Sequence, residues 1–215
     1  MSLTSLDDLT RRLDGRRGAC VLVAIKARAR CKTRLGQALA PPARVQLVRS
    51  MLAAVLSAAQ AAQTVRQVIV VSPERDIIAA DVPVLADTGH CLNGALTQAH
   101  RMLREFGCRE LVVLPADLPL ISASDIDALV RAGRRGGFAL APDTNGTGTN
   151  ALCLATAQLF RFQFGVNSRK LHLDAAARNG LCGRLVHLPG LAFDVDSPAD
   201  LIRLDGYPWR ARLQA

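Results

Sequence analysis

Three short apolar runs rich in β-branched residues fix the class of fold. Residues 19–25 (ACVLVAI), 67–72 (QVIVVS) and 110–115 (ELVVLP) each read as a buried strand, and each is followed along the chain by a segment of helical spacing. Residues 41–62 bring Val45, Val48, Leu52, Val55 and Leu56 to one helical face, and Pro41 and Pro42 suit a first turn, where their missing N–H groups cost nothing. Residues 94–106 predict a helix that stops at Gly107. Residues 122–135 predict another, with Ser122 as cap and Asp125 three residues on. A further helix is expected at 168–179, closed by Gly180, and a last one at 197–204, with Ser197 as cap, Pro198 first and Asp200 third. Short strands are expected at 82–85, 138–142, 151–155, 185–188 and 192–195. Strands alternating with helices predict an α/β chain: a mostly parallel sheet with helices on both faces, forming one domain over 19–205. Residues 1–18 read as an extension and 206–215 as a tail.

At 215 residues, half of them hydrophobic, the chain has ample material for a core and is not of the disordered class. No apolar run reaches the roughly 18 residues of a membrane span, and the first residues lack a secretory apolar core, so a soluble, cytoplasmic protein is expected. The net charge of +9 is unevenly spread. Residues 1–50 hold eleven Lys/Arg against three aspartates, whereas the remainder is nearly balanced. Such a segment calls for an anionic partner. With aromatics at 4% the stacking surfaces of a single-strand binder are scarce, so a nucleoside triphosphate is favoured over a basic nucleic-acid-binding module. The six cysteines show no zinc spacing and read as free, mostly buried thiols; the four histidines show no ligand spacing and read as structural.

In an open α/β sheet, ligands sit beyond the carboxyl ends of the strands. The loop after the first run carries five cations in nine residues (Lys26, Arg28, Arg30, Lys32, Arg34), enough to clamp a triphosphate, although no glycine-rich stretch makes it a Walker loop. In 115–119 (PADLP), Asp117 follows a strand end at once and is a hard carboxylate suited to magnesium. Asp194 and Asp196 share one face if 193–196 is extended, so one of them can be a second ligand opposite Asp117. Ser197 and Asp200 are adequately explained as helix-start residues. The stretch 143–150 (DTNGTGTN) offers glycines, hydroxyls and amides to anionic oxygens, and Ser168 opens a helix whose N-terminus suits a phosphate or carboxylate. Asn93, in the turn before the second helix, is placed to contact a base edge.

Taken together, these segments resemble the guanylyltransferases of deazaflavin coenzyme (factor 420) biosynthesis, the CofC/FbiD family. The matching elements are Lys26 with 32–35 (KTRL), 92–95 (LNGA), 115–119 (PADLP), 146–152 (GTGTNAL), 161–165 (RFQFG) with Ser168, and 194–201 (DVDSPADL). The resemblance implies a single-domain nucleotidyltransferase of the sugar-nucleotide pyrophosphorylase type. It implies transfer of GMP from GTP to 2-phospho-L-lactate, phosphoenolpyruvate or 3-phospho-D-glycerate, with release of pyrophosphate. By position, Lys26, Asp117 and Asp194 would be catalytic. Lys26, Lys32, Arg34, Asn93 and Gly94 would bind the nucleotide, and Thr149, Gly165 and Ser168 the acceptor. One or two magnesium ions would sit on Asp117 and Asp194, with Asp196 a further candidate. GTP and the phosphorylated acid are the implied partners, without nucleic acid or membrane, and a homodimer is compatible. A related nucleotidyltransferase using another base, or a molybdopterin or sugar-phosphate acceptor, is the alternative.

Overall fold

The computed structural model describes residues 17–25, 32–73, 78, 81–87 and 91–208. Lys26, Arg28, Arg30, Cys31, His90, most of the extension and the end of the tail lie outside them.

The chain runs β1 (Ala19–Ala24), a 3-10 turn (Thr33–Gln37), α1 (Pro41–Ala61), β2 (Val65–Ser72), β3 (Val84–Ala86), α2 (Leu92–Glu105) and β4 (Glu110–Pro115). It continues through α3 (Ala123–Arg134), β5 (Gly137–Pro142), β6 (Thr149–Ala155), α4 (Ser168–Arg178), β7 (Cys182–Leu185), α5 (Pro189–Ala192) and α6 (Pro198–Asp205). The strands form one seven-stranded sheet in the order β3-β2-β1-β4-β6-β5-β7. Pairing is parallel from β3 through β4 and between β5 and β7, and only β6 runs against its neighbours.

Alternation along the central strands separates two apolar layers. Val21 and Val23 of β1, with Val112 and Leu114 of β4, pack towards Leu52 and Val55 of α1 and Ile126 and Leu129 of α3. Leu22, Leu111 and Val113 face the other way, onto Leu96 and Leu103 of α2, Ala175 and Ala176 of α4, and Phe138, Phe160 and Phe162. Helices therefore cover both faces, as the buried strand runs require. Ser122 and Ser197 both form reciprocal capping boxes, with Asp125 and Asp200 respectively. A cap of this kind contributes about 1 kcal/mol.

Two expected strands are corrected. The last sheet strand is Cys182–Leu185, not 185–188. It is an exposed edge strand, so its polar composition hides it, while the apolar run that follows has left the sheet. Residues 192–195 are not a strand. Pro189 opens the short helix α5, and Phe193 and Val195 then anchor in a third apolar cluster with Leu35, Leu47, Val48, Met51 and Leu204. That cluster ties the 3-10 turn, α1 and α6 to the end of the sheet.

Candidate active site

Register decides what meets at the sheet edge. β1 and β4 are parallel neighbours with Ala24 opposite Pro115, so Ile25, Ala116 and Asp117 emerge at the same end. β6 is antiparallel to β4, with Leu152 opposite Val113, and so it starts where β4 finishes. Thr149 and Asn150 thereby arrive beside Asp117. The segment 193–196 completes the rim by simple alternation. Phe193 and Val195 are buried in the third cluster, and the residues between and after them, Asp194 and Asp196, turn to the opposite side.

These elements enclose a cavity of about 470 Å³. Its polar wall includes Lys32, Arg34, Asp117, Thr149, Asn150, Ser168, Asp194 and Asp196, and Gly165 lines it through its backbone. Eight residues named from sequence thus converge: Lys32, Arg34, Asp117, Thr149, Gly165, Ser168, Asp194 and Asp196. Asn93 and Gly94 do not line this cavity. They border an adjoining depression that shares Phe164 and Gly165 with it. Both ends of the Asn93 amide are spent on the main chain of Phe164: the Phe164 N–H donates to Oδ1 at 2.8 Å, and Nδ2 donates to the Phe164 carbonyl at 3.1 Å. Asn93 therefore clamps the loop that presents Gly165.

The electrostatic centre is Lys32. Its ammonium donates to Asp117 Oδ2 at 2.5 Å and to Asp196 Oδ1 at 2.7 Å, with the side chain only 8% exposed. Burial works against its charge, but the two carboxylates outweigh that and raise its pKa. Lys32 holds a left-handed backbone at φ 52°, uncommon for a residue with a Cβ. Asp194 is under the opposite pressure. Burial first, and then the charges of Asp117 and Asp196, push its pKa up to about 6, against a hydrogen bond from Asn150. Asn150 Nδ2 donates to the Ala192 carbonyl at 2.9 Å and to Asp194 Oδ1 at 3.3 Å, so a single amide fixes both the α5 end and the carboxylate beyond it.

Two hard carboxylates share the Lys32 ammonium and a third, Asp194, feels their charge, so its raised proton affinity marks a centre that gains from further positive charge. Among the described residues no three His, Cys, Asp or Glu side chains form a complete ligand set. A cation here would take one or two protein carboxylates and fill its shell with water and phosphate oxygens, which is the habit of magnesium. The donor set fits that ion.

The far wall is built by the β5–β6 loop and the start of α4. Asp143 Oδ1 accepts from the Thr147 and Gly148 N–H groups, each at 2.9 Å, which folds the loop tightly before Thr149. A side chain on Gly148 would meet Asp143 Oδ2 at 2.7 Å. Gly165 has φ +134°, a conformation available to glycine at little cost. Two contributors were hidden from sequence inspection, Asn150 and His172. Asn150 lay inside a polar stretch whose members looked alike. His172 carries the plainer signal, standing one helical turn after Ser168 on the buried face with Ala175 and Ala176.

Residues 19–205 match the family model described as guanylyl transferase CofC-like. A phosphoenolpyruvate guanylyltransferase of Rubrobacter xylanophilus is 39% identical over 199 residues, covering 89% of this chain and 97% of the relative. One from Sphaerobacter thermophilus is 38% identical, covering 86% and 92%. Among solved structures, CMP:2-keto-3-deoxy-manno-octonic acid synthetase complexed with CTP aligns with TM-score 0.61 at 12% identity, covering 92% of this chain and 99% of the other. The 4-diphosphocytidyl-2C-methyl-D-erythritol synthase of Anaerococcus prevotii aligns with TM-score 0.60 at 11% identity, covering 95% and 99%. At such identities these last two show the nucleotidyltransferase fold alone.

Proposed function

The chain belongs to the CofC-like guanylyl transferase family, and from that premise we propose that it transfers GMP from GTP to the phosphate of a small phosphorylated acid, phosphoenolpyruvate foremost, with release of pyrophosphate. The observation that carries this reading is the convergence of Asp117, Asp194 and Lys32 on one cavity whose far wall holds Thr149, Gly165 and Ser168. The product would be a guanosine-diphosphate-linked acid, an intermediate of deazaflavin coenzyme (factor 420) biosynthesis, made by a cytoplasmic enzyme.

In this reading the two walls hold the two reactants. Arg34 and Lys32, with Lys26 from the same loop, bind the triphosphate oxygens as fixed cations. Asp117 and Asp194, with Asp196 beside them, would hold magnesium, which supplies charge neutralisation at the phosphates. Thr149, the Gly165 backbone and Ser168 at the start of α4 bind the anionic ends of the acceptor. An oxygen of the acceptor phosphate bonds to the α-phosphorus, and the bond from that phosphorus to the bridging oxygen of pyrophosphate breaks. A phosphate monoester is already largely dianionic near neutral pH, so no side chain has to remove a proton from it. Catalysis then consists of alignment and charge shielding.

The test is incubation of the protein with magnesium, GTP and each of phosphoenolpyruvate, 2-phospho-L-lactate and 3-phospho-D-glycerate, following pyrophosphate release and product mass. The expected result is a guanylylated acid, formed fastest from phosphoenolpyruvate, with ATP, CTP and UTP poorer than GTP. Folded protein that releases no pyrophosphate with any of the three acids refutes the proposal, and a preference for CTP moves the protein to another nucleotidyltransferase class.

A further inference from the structure

His172 lies behind the acceptor wall, fully buried, and meets the cavity lining at Thr149 and Phe164. Its two ring nitrogens have unlike partners. The main-chain N–H of Gln163 points at Nε2, at 2.9 Å. A backbone amide can only donate, so Nε2 must be the bare, accepting nitrogen. In a neutral imidazole the proton then resides on Nδ1, which stands 3.0 Å from Thr149 Oγ1. Nδ1–H must donate there, and the threonine oxygen must accept. Thr149 is left with one hydrogen and no other side-chain partner for it among the described residues, and Thr149 borders the cavity.

We infer that His172 is a positioning residue that commits the Thr149 hydroxyl to donate into the cavity, and so selects an anionic oxygen of the acceptor there. This rests on the phosphorylated-acid reading above. A threonine hydroxyl is ordinarily ambivalent, since it rotates to give or to take a hydrogen bond. Here the relay from the Gln163 amide through the ring to Thr149 keeps the ring from accepting and occupies one lone pair of Oγ1, so the hydroxyl hydrogen is left for the cavity. A carboxylate or phosphate oxygen there can take it. The ring is well held for the purpose. It packs edge-on against Phe164 at 4.7 Å and tilted against Phe160 at 6.0 Å, while Asn93 fixes the Phe164 main chain. Burial pushes the His172 pKa down to about 4, so at neutral pH the ring carries a single N–H, as the relay needs. The same relay gives the loop 162–165 and helix α4 one shared anchor, which is why a residue outside the cavity can govern its far wall.

The test has a structural arm and a kinetic arm. In the full-length protein without ligand, 15N–1H spectra of the histidine side chains should show His172 protonated at Nδ1, the minority tautomer of free imidazole; protonation at Nε2 overturns the inference whatever the enzyme's activity. Kinetically, His172→Gln leaves an acceptor near the Gln163 amide but no donor to Thr149, whereas His172→Asn keeps a donor near Nδ1. His172→Gln should raise KM for phosphoenolpyruvate about tenfold or more, the worth of one hydrogen bond to a charged oxygen, with KM for GTP unchanged. His172→Asn should restore the acceptor KM to within about threefold, although each variant forfeits one hydrogen bond and so loses comparable urea resistance. In a Thr149→Val background, His172→Gln should add nothing further to the acceptor KM. Equal kinetic damage from Gln and Asn, tracking their stabilities, makes the ring merely structural and overturns the inference. A wild-type protein that carries the Nδ1 proton yet guanylylates none of the three acids overturns the functional reading, and this inference with it.

Discussion

Exchanging Asn150 for aspartate alters one nitrogen to an oxygen and almost nothing in size. The nitrogen removed donates to the Ala192 carbonyl at 2.9 Å and to Asp194 Oδ1 at 3.3 Å. Asn150→Asp puts an ionised oxygen against a carboxylate and a carbonyl. Two unit charges at that 3.3 Å separation repel by about 5 kcal/mol at an effective dielectric of about 20. Protonation offers a cheaper escape: Asp194 already has its pKa pushed up to about 6, so giving it a proton to share with the new carboxylate costs about 1.4 kcal/mol at pH 7. With about 1 kcal/mol more for the lost hydrogen bond to the Ala192 carbonyl, the variant should lose about 2–3 kcal/mol at pH 7. The folded state then binds a proton more tightly than the unfolded chain does. The penalty is therefore largest at high pH and shrinks as pH falls through about 6, to about 1 kcal/mol at pH 5. Urea denaturation of wild type, Asn150→Asp and Asn150→Ser at pH 7 and pH 5 reads this directly. The serine variant retains a donor and should lose about 1 kcal/mol with no added pH slope. If Asn150→Asp unfolds at the wild-type urea midpoint at pH 7, Asn150 does not hold Asp194, and the reasoning that assembles the cavity from β6 and 193–196 is wrong.

Three further outcomes follow from the same geometry. The buried rings of His100 and His172 both have pKa values pushed down to about 4, the first by burial and the nearby Arg104, the second by burial, from an unfolded value near 6.5. Each should then subtract about 3 kcal/mol of stability as pH falls from about 6.5 to 4, because only the unfolded state takes the proton; His100, whose Nε2 has no partner among the described residues, accepts from the Phe160 N–H through Nδ1, so His100→Leu should cost about 1–3 kcal/mol at pH 7 while losing its share of the acid slope, and a variant that keeps the full wild-type acid slope contradicts this. Asp127 accepts from the Thr64 N–H at 2.8 Å, the Thr64 hydroxyl at 2.7 Å and the Gln63 N–H at 3.3 Å, fastening α3 to the turn before β2. Asp127→Ala should cost about 2–4 kcal/mol in urea denaturation, with activity at permissive temperature intact. Gly165→Ala meets no atom within 4 Å but must adopt φ +134°, so it should cost about 1–3 kcal/mol and raise the acceptor KM, whereas an unchanged acceptor KM would take Gly165 off the acceptor wall.

How much of this was legible beforehand depended on the kind of signal. Strands buried on both faces announce themselves, and β1, β2 and β4 start and stop within two residues of the apolar runs. Capping pairs such as Ser122–Asp125 and Ser197–Asp200 are local chemistry and were equally plain. Asp117 was readable because a carboxylate directly after an apolar strand has to emerge at the ligand edge. Asp194 and Asp196 were readable as a same-face pair, although what holds them extended is not the sheet but the burial of Phe193 and Val195 in the third cluster. The exposed edge strand β7 was misplaced because an edge strand carries no apolar pattern. The clamp that Asn93 forms was not legible because a turn amide looks the same whether it faces a ligand or a main chain 71 residues away. His172 and Asn150 act through contacts 23 and 44 residues distant in sequence, and separations of that size leave no local trace.

Pyrophosphate release at saturating GTP, magnesium and phosphoenolpyruvate, compared among wild type, Asp117→Asn, Asp194→Asn and the double variant, bears most directly on whether these two carboxylates work as one centre. Each single variant should fold normally and lose about 10²–10³ in kcat, with the double variant scarcely slower than the worse single one, as groups acting on one bound ion must behave. A folded Asp117→Asn/Asp194→Asn protein that still guanylylates phosphoenolpyruvate at the wild-type rate would contradict the placement of the chemistry in this cavity.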